Sequence, residues 1–156
     1  MDILKIKYIE YIGVFINFTT TLMCFPVLVF QIYLPVNEKW LFLILTFLFN
    51  IGDLFARYIG PLIIFKNLKI LNILCIFKVF MILILYILSN SQNVCILFPI
   101  LILFTFGFLN GFLCIKYFDH STNDFVNNEN KKNSGFIFSS FLQSGLLFGA
   151  FLSNIW

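Results

Sequence analysis

The sequence predicts an all-α integral membrane protein of five transmembrane helices, and three observations carry that expectation. Of 156 residues, 61% are hydrophobic and only 11% are charged, whereas about a quarter of a soluble domain is charged. The apolar residues gather into five runs of roughly twenty residues or more, each long enough to cross a hydrocarbon layer of about 30 Å. The polar residues collect between those runs, as connections do. The net charge of +3 is small and the basic residues stand singly or in pairs, with no basic stripe; that excludes nucleic acid as a partner. The 23 phenylalanines accompany abundant Ile, Asn and Lys, as in an A/T-rich coding genome, so any single phenylalanine says little.

The whole chain, 1–156, reads as a single membrane bundle. Its first helix is expected over about 8–33, after a short head carrying Lys5 and Lys7. The apolar stretch is too long for the core of a signal peptide and no small-residue cleavage site follows, so it reads as a retained span. Asn17, Thr19, Thr20 and Thr21 form a polar patch inside it, and Pro26 frees a backbone carbonyl one turn earlier, which predicts a kink beside a cavity. Those hydroxyls either line the cavity or bond back to their own helix. The polar connection Leu34 to Lys39 leads to a second helix over about 40–65, which ends through Gly60-Pro61 before Lys66-Asn67-Leu68-Lys69.

A third helix is expected over about 70–88. Lys78 stands near its centre, about 12 Å from either end at 1.5 Å per residue, farther than a lysine stem comfortably snorkels. It is therefore expected to face the bundle or a wet cavity near an acid; a direct contact with solute is the sharper reading, a poorly fitting residue the blander one. After Ser89 to Asn93, a fourth helix spans about 94–117, with Gly107 and Gly111 flanking Asn110. The fifth, about 135–156, carries Gly145 and Gly149 at the same spacing, continued by Ser153. Small residues four apart let helix backbones approach closely, so the four glycines read as packing positions. Between these helices lies the polar stretch 118–133, expected to be a solvated, mobile cytoplasmic loop with His120 on its surface. Cys24, Cys75, Cys95 and Cys114 have no C-x-x-C spacing and read as small packing residues, neither metal ligands nor a disulfide framework.

The second helix holds the chemistry. Asp53 lies about 20 Å along it from Trp40, within the hydrocarbon layer, and Arg57 follows one helical turn later on the same face. A charge at that depth costs a few kcal/mol or more, so such residues usually face a partner or a watery path and mark a route for solute or ions. A purely structural ion pair is the alternative, although apolar side chains could replace one at little cost. No histidine box, carboxylate pair or nucleophile with a base accompanies it, so no enzyme is expected, and no cofactor or metal. Alternate connections place Lys5, Lys7, Lys66, Lys69, Lys116, Lys131 and Lys132 on one side and Lys39 on the other. The positive-inside rule then puts the amino end in the cytoplasm and Trp156 outside.

Phe49-Asn50, Asp53 and Arg57 resemble the signature helix of the equilibrative nucleoside transporter family, where an Asn, an Asp and an Arg recur at these spacings. Thr20 to Pro26 resembles the family's Thr-rich run ending in Phe-Pro. Leu109-Asn110-Gly111-Phe112 resembles its Asn-Gly-aromatic motif, and Ser134-Gly135 through Gly149 its Gly-rich last helix. Ala56 departs from the pattern, standing where the family usually has Gly, and its methyl is expected to narrow a helix contact. The four motifs cover essentially this chain and correspond to the last five of eleven helices in that major-facilitator-like fold.

What the resemblance implies is facilitated, equilibrative transport (purine uptake among its forms) of nucleosides, or of nucleosides and nucleobases, by alternating access across a membrane, by family default the plasma membrane. Asp53 and Arg57 would then engage the sugar, with Asn50 contacting solute or, as the favoured role, supporting Asp53. The partner would be an amino-terminal six-helix half, in cis or as another chain. The competing expectation is a truncated, non-transporting membrane paralogue that serves as a binding or assembly module.

Overall fold

In hydrocarbon a backbone N–H has no water to bond, so an apolar run crosses only as a continuous helix or a closed barrel. The computed structural model, which describes residues 3–31, 38–65, 67–91, 95, 97–123, 125 and 127–155, takes the helical solution. The first span joins α1 (Ile3–Cys24) to a short α2 (Val27–Gln31); α3 (Glu38–Ile59), α4 (Leu68–Ser89), α5 (Leu97–Thr122) and α6 (Asn128–Leu152) form the other four. All five are long and apolar enough to cross a membrane, and the chain is multi-pass on that ground.

Local chemistry sets the boundaries. The break between α1 and α2 falls at Phe25 and Pro26, joined by a cis peptide bond, where a proline has no N–H to continue the ladder. The second helix stops at Ile59, earlier than the expected Phe65, because Pro61 opens a 3-10 turn over Gly60–Leu62. Asn67 starts α4 by accepting from the Lys69 amide at 3.1 Å, an N-cap.

The expected loop over 118–133 is corrected most. Helix α5 continues to Thr122 and α6 starts at Asn128, capped by Asn127, whose side chain accepts from the Glu129 amide at 3.0 Å. Asn and Asp there mark helix ends that reach past the apolar segments, and composition alone reads the same residues as a loop. Of the expected connections, residues 32–37, Lys66, residues 92–94 and the terminal Trp156 lie outside the described residues, as do the side chains of Lys5 and Lys39.

Two helices are inner and three outer. The first and fourth spans each bury 56% of their most apolar window, against 22%, 33% and 17% for the second, third and fifth. Helix α3 lies along α5, α6 lies along α1, and α4 packs across both inner helices. Glycines permit the two close seams. A Cβ on Gly107 or Gly111 would collide with the carbonyl oxygen of Phe49 or Asp53 on α3, and one on Gly145 or Gly149 with that of Phe15 or Thr19 on α1. Ala56 is fully buried against Gly111, which makes room for its methyl group.

Apolar packing forms two clusters. One gathers Leu28, Leu45, Leu85, Leu103 and Phe106, the other Tyr11, Val14, Leu71, Leu113 and Tyr117. Along every helix that contributes to both, the two sets occupy opposite ends. The polar residues of the bundle centre lie between them.

Candidate functional site: a polar layer across the bundle

Lys78 occupies the middle of that layer and is completely buried. Its ammonium has three protons and lies within reach of four oxygens: Asn17 O at 2.9 Å, Asn17 Oδ1 at 2.7 Å, Thr21 Oγ1 at 2.6 Å and Asn110 Oδ1 at 2.9 Å. All four are neutral acceptors, contributed by α1 and α5 to a donor on α4. The Phe106 ring, its centroid 4.9 Å from the nitrogen, adds a cation–π contact. Such hydrogen bonding is what a buried charge needs to persist in a low-dielectric interior.

The network continues outward through one amide. Asn110 Oδ1 also accepts from Thr21 Oγ1 at 2.7 Å and from Asn17 Nδ2 at 3.3 Å, while its Nδ2 donates to Asp53 Oδ1 at 2.8 Å. Arg57 closes the chain, donating from Nε to Asp53 Oδ2 at 2.7 Å and from Nη2 to Oδ1 at 3.4 Å. An acid is thus near Lys78, but one amide removed from it. Exposure falls steeply inward: the Arg57 side chain is 41% exposed and that of Asp53 20%.

The hydroxyls of the first span bond back to their own helix or across to its neighbours, and none lines either cavity described below. Thr20 donates back to Asn17 O at 2.9 Å, and the single Thr21 proton has Asn17 O and Asn110 Oδ1 as alternative acceptors, each at 2.7 Å, while Thr19 reaches Gly145 O on α6 at 3.2 Å. Asn50 stands elsewhere than expected. It is exposed, and its Nδ2 donates to Thr46 O of its own helix at 2.9 Å. The amide that supports Asp53 belongs to Asn110, across the α3–α5 seam. Lys78 likewise reaches no open surface. Sequence reasoning placed Asn110 in a motif without giving it a role; its position between two glycines that seat α5 against α3 was the available signal.

A second polar cluster caps one end of the bundle. Lys7 pairs with Glu10 at 3.2 Å and donates to His120 O at 2.7 Å, His120 Nε2 lies 3.0 Å from Phe65 O, and Lys116 donates to Ile63 O at 2.8 Å. His120 is therefore half-buried in the last turn of α5 and not a loop surface residue. A cavity of about 540 Å³ opens there between Pro61, Phe65, Lys116 and His120. Another of about 380 Å³, almost wholly apolar, lies between α1 and α4 beside Ile12, Ile16 and Ile76. Neither is lined by Asp53 or Arg57, which stand on an open side of α3. Cys24, Cys75 and Cys114 are buried and Cys95 is exposed, so packing does not account for Cys95. Among the described residues no group of His, Cys, Asp or Glu is placed to hold a metal ion.

What the layer offers a ligand follows from its outer edge. Arg57 has five N–H groups and commits two to Asp53, which leaves donors beside an acceptor-only carboxylate. Comparison of the chain with protein-family models, with curated proteins and with solved structures finds no match in any of the three.

Proposed function

We propose that this chain is one bundle of a membrane carrier that passes nucleosides, and nucleobases, down their gradients by alternating access. One observation carries the reading: Asp53, inside a membrane-spanning helix, forms a half-exposed ion pair with Arg57 in that helix's last turn, and Asn110 holds its inner edge. Ionisable groups at that depth are costly unless they meet a partner or water. A carboxylate beside a guanidinium presents acceptors and donors together, which suits the vicinal hydroxyls of a ribose. The resemblance of the second helix to the signature helix of equilibrative nucleoside transporters supports the choice of nucleosides. Binding occurs between this bundle and a complementary one, joined upstream or supplied as another chain, because carriers of this type rock two bundles about a central site. The amino end lies in the cytoplasm, as the lysine distribution favours, and the membrane is the plasma membrane.

The test is uptake of radiolabelled adenosine in cells lacking their own nucleoside carriers, expressing the chain alone, the chain joined to an upstream half, and that joined form with Arg57→Ala. Saturable uptake that Arg57→Ala abolishes is expected. Absence of uptake from well-inserted protein of both lengths would overturn the reading in favour of a non-transporting module.

A further inference from the structure

We infer that Lys78 is a positioning residue, which orients the Asn110 amide and thereby fixes which hydrogen bonds Asp53 receives. The argument starts from donor and acceptor inventory. An ammonium donates and never accepts, so every side chain that meets Lys78 must turn an oxygen toward it. Asn17, Thr21 and Asn110 all do. For Asn110 this leaves one orientation. Its Oδ1 receives Lys78 and Asn17 Nδ2, so its NH2 must point the other way, where Asp53 Oδ1 lies 2.8 Å off. The flipped amide would set N–H against the ammonium and a carbonyl oxygen against the carboxylate, repulsive at both edges.

The consequence for Asp53 is specific. Its Oδ1 takes the Asn110 N–H and Arg57 Nη2 and its Oδ2 takes Arg57 Nε, so the carboxylate is held between α5 and its own helix with a lone pair of Oδ2 left for the open side. Lys78 never meets the solute. It acts from behind two side chains, so that a residue on α4 governs a site edge on α3, although these two helices are not principal neighbours. The geometric part of this inference stands on the network alone; only its effect on solute binding rests on the reading of Asp53 and Arg57 as the solute pair.

Lys78→Gln tests it, because glutamine is close in length and can hydrogen-bond but can also accept, which removes the donor-only constraint on Asn110. Asn110→Asp is the companion: it keeps an oxygen for Lys78 and withdraws the donor from Asp53. Each variant is purified as the full chain in lipid nanodiscs. The infrared carboxylate stretch of Asp53, isolated as the difference from the same protein carrying Asp53→Ala, is expected to shift in both variants. Equilibrium binding of radiolabelled adenosine, measured on the same variants joined to a complementary half, is expected to weaken tenfold or more in each. In the Asp53→Ala background Lys78→Gln should add no further loss, since Lys78 works through Asp53.

An Asp53 band that stays in place in both variants would overturn the inference, and so would an equal loss of adenosine affinity from Lys78→Gln with or without Asp53. If the chain joined to a complementary half binds no adenosine while the band shifts as expected, the positioning role holds and the nucleoside reading falls.

Discussion

Lys78 and Arg57 are two cations in one hydrogen-bonded chain, yet they have opposite surroundings. Lys78 is wholly enclosed by side chains of three helices, whereas the Arg57 side chain is 41% exposed. Each reaches Asp53, Arg57 directly and Lys78 through Asn110. Lys78 stands at the middle of α4 and Arg57 in the last turn of α3, but position along a helix does not set their surroundings. The number of helices that close over each one does, and it separates a charge that organises the bundle from a charge that can meet something outside it.

The largest expected effect would come from breaking the enclosed side. Lys78→Ala removes the three protons shared among four oxygens and leaves a cavity where a long stem was packed. Loss of buried contacts and orphaned polar groups together should lower unfolding stability by about 3–5 kcal/mol. Reversible unfolding in mixed micelles measures it. A loss below about 1 kcal/mol would mean that water readily replaces the ammonium and that the enclosure is looser than the packing indicates.

Next in size is the seam that brings the two sides together. Gly111 lies where a side chain would strike Asp53 O and the buried Ala56 methyl. Gly111→Val should force α3 and α5 apart at a cost of about 2–3 kcal/mol, and displace Asp53 from Asn110 as it does so. Gly135→Ala is the matched control, since its added Cβ would make only ordinary contact with Phe118 at 3.9 Å. Equal unfolding curves for the two variants would show that the seam has room to spare.

The open side should show the reverse profile. An exposed ion pair contributes little to stability, at most about 1 kcal/mol, so Arg57→Ala is expected to leave the unfolding midpoint nearly unchanged. Adenosine affinity, by contrast, should fall tenfold or more. A stability loss comparable with that of Lys78→Ala would turn the pair into a structural clamp and remove its role as a site.

These contrasts also mark what could be seen before the fold was known. Five spans, the Asp53–Arg57 register and the close-packing glycines were legible because apolar length, the i to i+4 spacing and small-residue spacing are local properties of a helix. The partner of each glycine pair was not, since Gly107 and Gly145 look alike in sequence and seat against different helices. Lys78 was visible as an anomaly, but its enclosure depends on Asn17, Thr21 and Asn110 arriving from elsewhere. The residues around His120 misled for a compositional reason: polar side chains that cap and extend helices outside the membrane are the same ones that make loops.

The smallest expected effect sharpens the contrast most at its outer edge. Asn50 lies one turn before Asp53, so spacing alone makes it a support for the carboxylate or a third solute contact. In the structure its side-chain amide donates to Thr46 O, four residues back, and Asp53 takes its amide from Asn110 instead. A side chain bonded to its own backbone on an exposed face holds nothing else in place. Asn50→Ala should therefore change adenosine affinity less than threefold and leave the unfolding midpoint where it was. A tenfold loss of affinity at unchanged stability would show that Asn50 turns outward to the solute, and would extend the open side of the site by one helical turn.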